Sequence, residues 1–82
     1  MTQLNLPLTS LSRETQRGAI YEWLYLRGEE GGTDAEIQAA LTLPGDTERP
    51  RRGELQAMGM IVDSGRKRRT QFNRLATIWI AK

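Results

Sequence analysis

Eight of the twelve Lys and Arg side chains fall between positions 49 and 74, in two groups: Arg49, Arg51 and Arg52, then Arg66, Lys67, Arg68 and Arg69 with Arg74 shortly after. A guanidinium offers a rigid fork of donors that matches phosphate, or the O6 and N7 edge of guanine, with two parallel hydrogen bonds. Residues 49–74 contain only Glu54 and Asp63 as acids, a balance of +6. Residues 1–48 hold three basic residues against eight acidic ones, a balance of −5. The net charge of +2 conceals this division. Such asymmetry points to a polyanionic partner for the second half of the chain. The same residues would also serve as a solvated face that keeps an edge strand from aggregating, and Arg51 or Arg52 could simply pair with Glu48 or Glu54.

Other chemistries are poorly supplied. With no cysteine and no histidine, the chain lacks a disulfide, a thiolate metal site and the usual general base. The carboxylates form no pair beside an apolar pocket signature. Gly31 and Gly32 precede a helix but lack the strand and lysine of a phosphate-binding loop. The expectation is a protein that is not an enzyme and takes no metal or cofactor. No apolar run approaches the roughly 20 residues of a membrane span, and the N-terminus has no signal-peptide pattern. A cytoplasmic protein of one domain, with no membrane partner, is expected.

These side chains need elements to position them. Residues 1–11, with alternating leucines and Pro7, read as a flexible extended arm. Ser12 is a candidate N-cap for a helix to about Arg27, whose apolar face is Ala19, Ile20, Trp23 and Leu24. Gly28–Gly32 form a loop. Thr33 and Glu36 make a capping box, followed by a short helix with Ile37, Ala40 and Leu41 on one stripe and a stop at Leu43-Pro44-Gly45. A third helix is predicted from Asp46 or Thr47 to Gly59. With Thr47 as N-cap, Pro50 falls at the third helical position, where its missing N–H costs little. Met60–Asp63 and Ala76–Ile80 read as two strands of a hairpin, with Ser64–Arg69 as a charged loop in its long basic tip. Trp23, Phe72 and Trp79 are expected in the core, and Tyr21 and Tyr25 on the surface of the first helix.

This α+β order of three helices followed by a two-stranded β wing resembles a winged helix-turn-helix domain over residues 12–82. Thr33–Ile37 with Leu41 is similar to that family's capped second helix. Gly45–Leu55, with its Pro-Arg pair and later Glu-Leu, is similar to its recognition helix. Gly59–Gly65 resembles the turn into the wing, and Arg74–Trp79 the returning strand. Small bacterial and bacteriophage proteins are the variants most similar. The resemblance implies duplex DNA as partner and a role in regulating transcription or replication, with Thr47, Arg49, Arg51 and Arg52 facing the major groove and Arg66, Lys67, Arg68, Arg69 and Arg74 on phosphates or a narrow minor groove. On a helix, Arg49 and Arg52 share a face and Arg51 is turned about 100° from Arg52, so one set is expected to read bases and the other to grip phosphate. In one departure from the family pattern, Glu48 and Arg52 occupy positions that usually seat this helix on the core, and their i, i+4 spacing suits a surface ion pair. Gly53 costs about 1 kcal/mol against alanine in mid-helix, which suggests close approach of another backbone. A homodimer is compatible with all of this.

The arm carries an alternative. Gln3-Leu4-Asn5-Leu6-Pro7-Leu8 resembles the short peptide by which bacterial replication and repair proteins dock on the sliding clamp. That resemblance implies the Gln3 amide at a pocket rim, with Leu4, Leu6 and Leu8 as the apolar peptide and Leu6 and Leu8 entering a groove. The chain would then be a protein-interaction adaptor that reads no DNA sequence. Equally, the leucines could fold back on a small core.

Overall fold

The computed structural model describes residues 6–82. Its elements are α1 (Arg13–Arg27), α2 (Asp34–Leu41), α3 (Gly45–Ala57), β1 (Ile61–Arg69) and β2 (Leu75–Ala81), with single 3-10 turns at Leu8–Ser10 and Gly28–Glu30. Three helices therefore precede an antiparallel two-stranded sheet, an α+β arrangement. No helix among the described residues is long and apolar enough to cross a membrane.

Helix α1 starts where its cap does. The Ser12 hydroxyl accepts from the Thr15 amide at 3.1 Å, satisfying one of the unpaired donors of the first turn. Ile20 and Leu24 lie on its buried face. Gln16 is buried with them, and its Nε2 points to the carbonyls of Leu8, Thr9 and Leu11 at 3.3–3.4 Å. That clamp ties residues 8–11 to α1, and Leu8 packs against the core.

Gly31 and Gly32 owe their identity to packing. Gly32 exchanges both backbone hydrogen bonds with Trp79, at 2.9 and 2.8 Å, and so adds a one-residue bridge to the edge of β2. Gly31 has φ +58°, and a Cβ there would sit 2.2 Å from the Trp79 carbonyl oxygen; one at Gly32 would sit 2.4 Å from the Trp23 ring.

The capping box of α2 is complete, with the Thr33 and Glu36 backbone amides each bonded to the other residue's side chain at 3.2 Å. Ile37 is buried, but Ala40 is exposed, so the expected stripe is narrower than its spacing suggests. Thr42 ends α2 in the left-handed conformation, and Leu43 turns back into the core.

Helix α3 begins earlier than its sequence signals. Pro44 is the N-cap, and its carbonyl accepts from both Thr47 and Glu48 amides at 3.0 and 2.9 Å. Pro50 is consequently the sixth helical residue rather than the third. Its absent N–H now deletes the bond that would reach the Asp46 carbonyl. The helix ends at Ala57, two residues short of Gly59, which takes φ +76° just beyond it.

The hairpin also differs from expectation. Strand β1 runs on through Arg69, and the Ser64-Gly65 signal marks an irregularity inside the strand rather than the loop itself. Asp63 pairs with Trp79 and Lys67 with Thr77, so three residues of β1 stand opposite one of β2. Asp63 Oδ1 accepts from the Gly65 amide at 2.8 Å, and Gly65 takes φ +82°. The chain reverses at residues 70–74 instead. The core cluster of Ile20, Leu24, Ile37, Leu43, Leu55, Ile61 and Trp79 joins all three helices to the sheet. Trp79 and the half-buried Trp23 belong to this interior, but Phe72 is 75% exposed at the hairpin tip, contrary to its expected core role. Tyr21 is half-buried against the core, and Tyr25 is exposed.

Candidate nucleic-acid interface

Helix α3 has two opposed faces. Asp46, Arg49, Pro50, Gln56 and Ala57 are exposed and fall on one side at helical spacing. Gly53 lies among them, with open space where a Cβ would stand. Glu48 and Leu55 lie on the opposite side and are buried. Glu48 thus seats the helix from the inside and does not form the expected surface pair with Arg52.

The buried carboxyl is built into a small polar cluster. Gln38 Nε2 donates to Glu48 Oε1 at 2.9 Å, whereas Glu48 Oε2 is buried without a partner when the group is ionised. Burial, together with a hydrogen bond to Asp34, pushes the Glu48 pKa up to about 8. A protonated Glu48 resolves the orphan oxygen, because its O–H donates to the Asp34 carboxylate. Asp34 goes the other way. Burial would raise its pKa, but Arg52, the shared hydrogen bond with Glu48 and the nearby Arg49 charge outweigh that and hold it low.

Arg52 is spent on this cluster. Its Nε and Nη2 take both oxygens of Asp34 at 2.9 and 2.8 Å, and its guanidinium lies 4.5 Å from the Trp79 ring centroid. Arg51 is also turned inward. It meets Glu54 through Nε at 2.9 Å and Nη2 at 3.0 Å, and Arg17 on α1 grips the same carboxylate at 2.9 Å. Of the three arginines expected to divide between base reading and phosphate gripping, Arg51 and Arg52 are thus paired within the fold. Arg49 alone of the three is exposed, and Thr47 is half-exposed in the first turn.

The hairpin cations divide by strand alternation. Arg66 donates to the Glu29 carbonyl. Arg68 donates to the Glu30 carbonyl at 2.8 Å and meets Glu36 at 3.5 Å. Both reach the turn after α1, and Arg68 also ties the hairpin to α2; Arg27 meets the same Glu30 and Glu36. Lys67 and Arg69 occupy the alternate positions and, like Arg66, are exposed. Lys67 contacts Thr77 at 3.4 Å, and Arg69 contacts the Asn73 side chain at 2.9 Å.

Between α2, the start of α3 and the hairpin tip lies an open groove of about 600 Å³, bordered by Arg49, Arg69, Arg74, Phe72 and Leu75. The guanidinium groups of Arg49 and Arg74 have no hydrogen-bond or ion-pair partner among the described residues. The acids at the groove, Asp34 and Glu36, are already paired with Arg52 and with Arg27 and Arg68. The mouth of the groove is left cationic.

Sequence reasoning missed Phe72, Leu75, Asp34 and the burial of Glu48. Phe72 follows Thr70-Gln71 and precedes Asn73-Arg74, a polar setting suited to a turn. For Glu48 the signal is its position, seven residues before Leu55 on the face that seats the helix. Of the arm residues, Gln3 and Leu4 lie outside the described residues, Leu6 is exposed, and Leu8 packs on the chain's own core. Comparison with protein-family models, with curated proteins and with solved structures found no match.

Proposed function

We propose that this chain is a winged helix-turn-helix domain that binds duplex DNA without catalysing a reaction, in a regulatory role in transcription or replication of bacterial or bacteriophage type. The exposed face of α3 enters the major groove, and the β1–β2 hairpin acts as the wing. The observation that carries this reading is the single groove bordered by Arg49 on α3 and by Arg69 and Arg74 at the hairpin tip. Three cations from two distant segments converge there, while Arg51, Arg52 and Arg68 hold the fold together. The smooth stretch of Pro50, Gly53 and Ala57 beside Arg49 lets a nucleic-acid backbone or base edge come close. Convergent exposed arginines beside a helix are the electrostatic footprint of a phosphate binder.

The test is a titration of a fluorescent 20-base-pair duplex from 50 to 300 mM salt. Affinity should fall steeply with salt, and Arg49→Ala, Arg69→Ala and Arg74→Ala should each lower the slope by about 1 if that arginine contacts one phosphate. Arg68→Ala should lower the melting temperature and leave the slope nearly unchanged. Absence of binding at 50 mM salt, or binding insensitive to salt, would refute the reading.

A further inference from the structure

We propose that Phe72 is a wedge that enters the base stack at the wing tip, and that the preferred ligand is duplex DNA with a weak step or a mismatch there. The proposal rests on the DNA-binding reading above and specifies what that same groove recognises. Phe72 is 75% exposed and Leu75 is 61% exposed, and the core cluster uses neither.

The tip that carries the ring is organised by Thr70. The Thr70 amide donates to the Arg74 carbonyl at 2.7 Å, and the Asn73 amide donates to the Thr70 carbonyl at 3.0 Å. Thr70 Oγ1 accepts from the Phe72 amide at 3.2 Å and from the Arg74 amide at 3.4 Å. Asn73 completes the reversal with φ +60°, a conformation Asn tolerates better than most residues. A tip held this way presents its aromatic ring with little ordering entropy left to lose on binding.

The charges around the ring select the occupant. Arg69 and Arg74 flank it, Arg49 stands across the groove, and the neighbouring acids are neutralised within the chain. An apolar peptide would gain little from three arginines, whereas a polyanion with stackable bases uses both features. Apolar side chains inserted from the minor groove unstack a base step and kink the duplex. The insertion is easiest at flexible pyrimidine–purine steps and at mismatched bases.

The experiment uses the full chain and a series of 20-base-pair duplexes of one sequence, each with 2-aminopurine at a different position, with and without an adjacent mismatch. Wild type should raise the fluorescence at one position or a narrow cluster, and should bind the mismatched duplex roughly tenfold more tightly. Phe72→Ala should abolish the fluorescence rise and the mismatch preference, with its melting temperature and the salt slope of binding unchanged. Phe72→Trp should restore both. Wild-type binding with no fluorescence rise and no mismatch preference would overturn the wedge and leave DNA binding standing, as would a Phe72→Ala protein that retains both signals. Failure of wild type to bind any of the duplexes at low salt would overturn both readings.

Discussion

Replacing Glu48 by Gln should make this protein more stable at neutral and alkaline pH, although the change removes a carboxyl from a polar cluster. In the folded chain the Glu48 pKa stands near 8, against an ordinary value of 4.5. A group raised in this way favours folding fully below the unfolded pKa, and that contribution is lost as pH rises through the folded one. Between about pH 4.5 and 8 the unfolded chain releases the Glu48 proton and the folded chain keeps it. Each pH unit should then cost about tenfold in the folding equilibrium, and the whole window on the order of 4 kcal/mol. Asp34 has the opposite sign, since its contribution is present above pH 3.8 and fades as pH falls further. Glu54, held low by Arg17 and then Arg51, likewise acts only at acid pH. Neither masks the window from 5 to 8. A glutamine can donate to Asp34 and accept from Gln38 with no proton to lose. Urea denaturation followed by circular dichroism at pH 4.5, 6, 7 and 8 would measure the difference. Wild-type stability should fall across the series, with Glu48→Gln nearly flat, equal to wild type at pH 4.5 and several kcal/mol above it at pH 8. A wild-type curve that is flat or rising from pH 5 to 8 would refute the reasoning.

Arg52→Lys should destabilise the fold by roughly 1–3 kcal/mol, and Arg52→Ala by more, because the two-oxygen grip on Asp34 and the stacking on Trp79 both need a planar guanidinium; thermal melting checks this, and a lysine variant as stable as wild type would contradict it. Gly53→Ala should raise the stability of the free protein by up to about 1 kcal/mol, since nothing lies within 4 Å of the added methyl. The same variant should weaken duplex binding, and a gain in stability with unchanged binding would remove the exposed face of α3 from the interface.

The parts of this fold legible in the sequence are those fixed by local chemistry. Ser12, the Thr33–Glu36 box and the β-branched run at Thr77–Ile80 act on their immediate neighbours, and the elements they mark are present. The start of α3 was harder to read because Pro44 caps it with its backbone carbonyl, which leaves no side-chain signature. The Ser64-Gly65 pair does bend the chain, but a bulge and a hairpin turn share the same residue preferences, and only the cross-strand register tells them apart. The candidate site was half legible. Charge asymmetry located the basic segments, but which arginines face outward depends on acids far away in sequence: Asp34 for Arg52, Glu36 for Arg68. The burial of Glu48 depends on distant contacts for a related reason. A carboxyl reads as a surface group until tertiary packing supplies the carboxylate that shares its proton.

The central claim, that the exposed face of α3 and the hairpin tip together form a DNA surface, is tested most directly by titrating an isotope-labelled sample of the full chain with a 20-base-pair duplex and mapping backbone amide shifts by NMR. The account predicts the largest changes at Thr47, Arg49, Gly53 and Gln56 and at residues 67–75. The side of α1 that carries Tyr25 and Leu26 should remain unmoved. Shifts confined to α1 or to the arm, with α3 and the tip unperturbed at saturating duplex, would contradict it.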